Sequence, residues 1–104
     1  MKRCEIWLAE LPHPIGKRPV LLLSRDAAYA VRNAATVAEI TTTIREIPVE
    51  VPLDRSDGMA KECVINLDTV TTIPKTMLIH KIADLKPAKI EQVNKALKFA
   101  LDLE

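Results

Sequence analysis

The amino-acid sequence predicts a strongly bent antiparallel sheet or small barrel of about six short strands, capped by one C-terminal helix. Three observations predict it. Short aliphatic and β-branched runs recur along the chain, several with apolar and polar residues in alternation. Prolines, glycines and an Asp-Gly pair punctuate those runs. Only the last stretch carries apolar residues at helical spacing.

Each element has its own signal. Arg3 to Glu10 reads as a strand, with Ile6 and Leu8 on one face and Glu5 and Trp7 on the other. Leu11-Pro12-His13-Pro14-Ile15-Gly16 breaks it. Pro19 to Ser24 is a continuous aliphatic run, hence a buried strand, which Arg18 opens. Arg25 to Asn33 is a polar connector with room for one helical turn. Ala34 to Thr43 is a third strand, rich in Thr and Val. Glu46 to Leu53 alternates, with Ile47, Val49, Val51 and Leu53 on one face, and Pro48 and Pro52 place it at an edge. Asp54 to Lys61 is a turn with Asp57-Gly58 at its tip. Glu62 to Ile73 is a long strand that Pro74 ends, Lys75 to Leu78 a short helical turn, and Ile79 to Leu85 a last strand. Pro87 suits the first turn of a helix, where no N–H is needed. Ile90, Val93, Leu97, Ala100 and Leu101 then form the stripe that docks it on the sheet.

With 104 residues the chain has room for a single domain, residues 1–104, and one core. Hydrophobic residues make up 48% of it, which excludes a disordered chain. One Trp, one Tyr and one Phe leave few aromatic faces for stacking bases. A net charge of +1 provides no global field for nucleic acid. Between residues 1 and 32, however, Lys2, Arg3, Lys17, Arg18, Arg25 and Arg32 outnumber Glu5, Glu10 and Asp26. That excess allows a local cationic face, or simply a solvated mixed-sign surface. Cys4 and Cys63 belong to no CxxC or Cys/His motif, so free thiols in a reducing compartment are expected. No run approaches the ~18 apolar residues of a membrane span. Met1-Lys2-Arg3 leads into the first strand without a signal peptide. A cytoplasmic protein with no membrane partner is expected.

Arg18 at the head of one strand and Thr41 at the end of another supply a guanidinium and a hydroxyl that could grip a phosphate. Spacing alone leaves the ordinary alternatives open: an arginine paired with a surface carboxylate, and a β-favouring threonine. The order of the segments narrows the choice. They are Cys4-Glu5-Ile6-Trp7-Leu8, Gly16-Lys17-Arg18-Pro19-Val20-Leu21-Leu22-Leu23-Ser24, Ala38-Glu39-Ile40-Thr41-Thr42, and Ile47-Pro48-Val49-Glu50-Val51-Pro52-Leu53. Glu62-Cys63-Val64-Ile65-Asn66-Leu67-Asp68, Thr71-Thr72-Ile73 and Val93-Asn94-Lys95-Ala96-Leu97 follow. Together, over nearly the whole chain, they resemble the MazF/PemK-like toxins of bacterial type II toxin–antitoxin systems.

The resemblance implies an SH3-like barrel with added helices, the fold shared with CcdB-like toxins, and a homodimer. It implies a sequence-selective endoribonuclease, an mRNA interferase that cuts single-stranded RNA with no metal or cofactor. It also implies a cognate antitoxin that lays an extended acidic C-terminal tail along the dimer. In such a reaction the ribose 2′-OH is the nucleophile, and the protein orients the groups and neutralises charge at phosphorus. Arg18 matches the family's arginine and is assigned to transition-state charge stabilisation. Thr41 matches its hydroxyl partner and is assigned to orienting the phosphate or 2′-OH.

His13, Lys17, Thr42, Asp68 and Thr69 are the candidate RNA contacts. His13 is the natural group for proton transfer near neutral pH, or else an exposed histidine between two prolines. Asp68 matches an acidic residue frequent in the family, or else is a structural carboxylate. Thr69 and Thr71 depart from the amide and basic residues often found there, so base selection is expected to differ. Cys4 stands where glycine is frequent. The loop from Leu11 to Lys17 is shorter than in many relatives, where it covers the RNA site, so it is expected to cover less. Trp7 is either core or antitoxin contact, since the matching tryptophan lies near the antitoxin's path. His80 is read as surface or packing. The rival functions are a gyrase-poisoning binder of the same fold, a catalytically lapsed relative, and a generic SH3-like interaction domain.

Overall fold

Alternating side chains build six antiparallel strands into one curled sheet, seen in the computed structural model, which describes residues 1–104. The strands are β1 (Glu5–Leu11), β2 (Gly16–Leu22), β3 (Ala34–Thr41), β4 (Glu50–Leu53), β5 (Cys63–Pro74) and β6 (Leu78–Asp84). A short helix, α1 (Asp26–Val31), joins β2 to β3, and α2 (Pro87–Ala100) follows β6. Three-residue 3-10 turns cover Arg55–Asp57 and Lys75–Met77. The strand order is β4-β5-β3-β2-β1-β6, so β4 and β6 are free edges of a half-barrel.

Both faces of the sheet are packed. On the inner face Ile6, Leu21, Ala38, Ile40, Val51 and Ile65 meet Val93 and Ala96 of α2. On the outer face Ala9, Val20, Leu22 and Val37 meet Tyr29 of α1. The middle strand β2 therefore needs apolar side chains on both sides, which explains its unbroken aliphatic run. Val20, Leu21 and Leu22 are fully buried. Neither Cys4 nor Cys63 forms a disulfide, and both are buried. Cys4 has a left-handed backbone, φ 69°, which accounts for the glycine frequent at that place.

Four expectations are corrected. Strand β1 starts at Glu5 rather than Arg3, and Glu5, on the face of Trp7, is buried. Its carboxylate accepts the Trp7 indole N–H at 2.9 Å and lies 3.4 Å from Lys81. Strand β2 starts at Gly16, so Arg18 lies inside it instead of opening it. Strand β4 covers only Glu50–Leu53, and Ile47 is exposed. The cause is local: Glu50 Oε1 accepts the backbone N–H groups of Arg45 and Glu46, each at 2.9 Å, and Glu50 N–H donates to Ile47 O. Those bonds fold the chain into a turn before a strand can begin. Leu101 lies past the end of α2 and is exposed, although Ile90, Val93, Leu97 and Ala100 pack as the stripe predicts.

No helix is long and apolar enough to cross a membrane.

Candidate active site

The site grows from a proline. β2 pairs with β1 over its whole length, Leu8 opposite Pro19 and Ala9 opposite Arg18. A proline can hold that position only if the missing N–H points away from β1, toward β3. There the ladder stops: β2 and β3 pair only from Val20↔Glu39 to Leu22↔Val37. Carried two residues further, the same register sets Arg18 against Thr41. Two central strands thus part at one end, with the arginine on one and the threonine on the other.

Beside the parted ends, on the face of Pro19 and Ile40, lies a cavity of about 190 Å³ lined by Pro19, Ile40, Thr41, Thr42, Met59, Ala60, Lys61 and Cys63; Arg18 does not line it. Desolvation raises the Cys63 thiol pKa above its ordinary value, with Asp57 and Asp54 adding to the rise. A protonated thiol is a poor nucleophile, so Cys63 serves as apolar lining.

Arg18 is partly open to solvent, and its Nη1 donates to Glu39 Oε1 at 2.9 Å. Its Nε and Nη2 make no hydrogen bond within the chain. One edge of the planar donor set is therefore available for an anion. Thr41 Oγ1 accepts the N–H of Thr43 at 3.2 Å, capping the turn that follows β3. The hydroxyl hydrogen is left to donate elsewhere.

The β3–β5 pairing jumps from Ala38↔Val70 to Glu39↔Asn66, so Leu67, Asp68 and Thr69 form a bulge beside Glu39. Asp68 and Thr69 are exposed there. Asn66, opposite Glu39, is buried, and its Oδ1 accepts the N–H of Asp68, which fixes the bulge. Trp7 shares this outer face through the row Trp7, Val20, Glu39.

The remaining candidates fall elsewhere. Lys17 is exposed and pairs with Glu10, one position out of phase with Arg18, so alternation turns it to the other face. His13 is exposed at the tip of the β1–β2 hairpin, beyond the last pair Leu11↔Gly16. Thr42 is exposed at the cavity rim. His80 is exposed on edge strand β6. No group of three or more His, Cys, Asp or Glu side chains converges in a way that could hold a metal ion.

Glu39 and Asn66 were not singled out by the sequence reading. A charged residue between Ala38 and Ile40 at strand alternation was the available signal for Glu39, and its partner lies 21 residues away. Asn66 carried no local signal, because it sits inside an unbroken strand pattern.

Comparison with known proteins gives this geometry a context. Among curated proteins, the chain is 38% identical over 101 residues to "Probable endoribonuclease MazF5" of Mycobacterium tuberculosis, covering 96% of this chain and 92% of that one. It is 32% identical to "Endoribonuclease EndoA" of Bacillus subtilis, covering 99% and 96% of the two chains. Among solved structures, the M. tuberculosis toxin MazF-mt6 superposes with a TM-score of 0.89 at 34% identity, over 96% of this chain and 98% of that one. A mycobacterial endoribonuclease in complex with its cognate antitoxin matches with a TM-score of 0.89 at 28% identity, over 100% and 97%. The family described as PemK-like, MazF-like toxin of type II toxin-antitoxin system matches residues 2–101. A chain matched over nearly its whole length in sequence and in fold belongs to the PemK/MazF toxin family.

Proposed function

We propose that this chain is the toxin of a type II toxin–antitoxin pair and acts as an endoribonuclease on single-stranded RNA, through one toxin domain spanning residues 1–104. Arg18 carries the site assignment: its Nε and Nη2 donors have no partner in the chain, and it lies two residues beyond Val20, where the β2–β3 ladder ends. The names of relatives such as those from M. tuberculosis and B. subtilis support the activity.

The chemistry balances within RNA itself. The 2′-oxygen attacks the adjacent phosphorus and gives up its proton, the P–O5′ bond breaks, and the departing oxygen takes a proton. The products are a 2′,3′-cyclic phosphate and a 5′-OH. Arg18 donates to the non-bridging oxygens as negative charge builds on them. Thr41 orients the phosphate or the attacking hydroxyl. Thr42 at the cavity rim, and Asp68 and Thr69 on the bulge beside Glu39, contact neighbouring nucleotides. His13 and Lys17, on the hairpin tip and its flank, contact RNA further along the strand. The protein works as a homodimer. A cognate antitoxin, whose acidic C-terminal tail runs past Trp7, silences it.

The test is cleavage of a long transcript in EDTA, with cut sites mapped by primer extension. The wild-type protein is expected to give discrete cuts, and Arg18→Ala to lose roughly 100- to 1000-fold in rate while keeping its thermal midpoint. Intact RNA with the wild-type protein would favour the non-catalytic binder. Full cleavage by a folded Arg18→Ala would remove the catalytic assignment.

A further inference from the structure

Arg18 sits on a stretch of β2 that is secured on one side only. β1 pairs with it, but β3 does not, because the β2–β3 ladder ends at Val20. Its side chain is long and partly solvated. An arginine in that setting samples many rotamers, and holding it still forfeits side-chain entropy. A group that must meet a phosphate at the right angle needs that entropy removed before the substrate arrives.

One side chain can do this. Glu39 lies on β3, between Val20 of β2 and Asn66 of β5, in the last pair before the strands part. Its side chain is only 14% exposed, and Arg18 Nη1 is its single hydrogen-bonding partner in the chain. Paired neighbours on both sides fix its backbone. The 2.9 Å contact has the length of a charge-assisted bond. It draws on Nη1 alone and leaves the Nε–Nη2 edge without a partner in the chain, the edge that can grip an anion with two parallel bonds.

We propose that Glu39 is the positioning residue for Arg18, holding the guanidinium by one nitrogen so that its forked edge faces the scissile phosphate. This rests on the reading of Arg18 given above. The opposing possibility is that Glu39 merely competes with phosphate for the same charge. The geometry speaks against it, since the bond occupies one nitrogen and leaves the others free.

The experiment measures single-turnover cleavage of a transcript by Glu39→Ala and Glu39→Gln, each alone and combined with Arg18→Ala. Glu39→Ala is expected to lower the maximal rate roughly 10- to 100-fold with little change in the half-saturating enzyme concentration. Glu39→Gln keeps an Oε1 acceptor for Nη1 and is expected to lose distinctly less. On top of Arg18→Ala, neither change is expected to slow the residual reaction by more than about 2-fold. Should Glu39→Ala fail to fold, Glu39→Asp takes its place, with a carboxylate set back by one methylene and the same expected loss.

Glu39→Ala cleaving as fast as wild type, or faster, would overturn the proposal in favour of competition with phosphate. Equal losses in Glu39→Gln and Glu39→Ala would overturn it in favour of a proton-transfer role. An undiminished loss in the Arg18→Ala background would show that Glu39 acts independently of Arg18. Wild-type cleavage by Arg18→Ala alone would instead remove the underlying assignment, and the two failures are thereby told apart.

Discussion

Thr41 has two jobs that differ in size, and the difference allows them to be separated. Its structural job is the 3.2 Å bond from the Thr43 N–H, in an exposed turn. A long hydrogen bond open to water contributes about 0.5–1 kcal/mol. Valine has the same shape and at least the same liking for a strand. Thr41→Val should therefore lower stability by no more than about 1 kcal/mol, a shift of roughly 4–8 °C in the thermal midpoint. The proposed catalytic job is larger. A hydroxyl aimed at charge that develops in the transition state is worth about 3 kcal/mol, or roughly 100-fold or more in rate. The assay runs both measurements on the same preparations: thermal unfolding followed by circular dichroism, and cleavage of a single-stranded transcript. Thr41→Val is expected to fold and to cut at least about 100-fold more slowly. Thr41→Ser, which keeps the hydroxyl, is expected to recover most of the rate. A folded Thr41→Val within about 3-fold of wild type would leave Thr41 only its turn-capping role, and the pairing of Arg18 with Thr41 would then carry no catalytic meaning.

Two further outcomes follow from single residues. Burial raises the pKa of the Glu5 carboxyl, but the Trp7 indole N–H, the Lys2 backbone and the Lys81 ammonium outweigh it and hold the group below its ordinary value of 4.5. The stability it contributes is therefore complete above pH 4.5 and is lost as acid takes the pH down through the folded-state pKa. Glu5→Gln, with denaturation followed by the fluorescence of the one tryptophan, should show a shallower fall in stability below pH 4.5; an unchanged slope would refute this. Pro19→Val supplies the N–H that β2 lacks toward β3, so amide protection should extend past Val20 while cleavage falls severalfold. A lengthened ladder with undiminished cleavage would show that the parted strands are not needed.

The fold was legible because each strand announced itself by a local rule. The aliphatic run at Val20–Leu22 needed no knowledge of the rest of the chain to be read as central, and alternation placed Ile6 inward. The same rule misled at Ile47 and Glu5. At Ile47 the pattern continued while the Glu50 carboxylate had already bent the backbone. At Glu5 a charged residue on the polar phase proved buried because an indole and an ammonium met it there. Arg18 and Thr41 could be proposed through their flanking motifs. Glu39 was not, because a cross-strand partner is defined by register, and register was set by the end of a ladder that the sequence marks only with a proline. The bulge at Leu67–Thr69 was hidden for a related reason: its residues continue the strand composition, and only the pairing of Asn66 with Glu39 reveals that three of them have been looped out.

Pro19 also gives a reason for the proposed site to lie in the middle of the sheet and not at an edge. A sheet edge such as β4 or β6 offers unpaired backbone groups but little rigidity. Parting two central strands gives an opening whose walls remain braced, here by β1 behind Arg18 and by β5 behind Thr41, which pairs with Val64. On the proposed reading, the site needs an arginine beside the gap and a carboxylate to steady it. The last pair of the ladder supplies the carboxylate, since Glu39 sits opposite Val20, two residues from Arg18. On this view the missing N–H and the ion pair are parts of one arrangement. The proline ends the ladder, and Glu39 limits how the guanidinium beside that end can move.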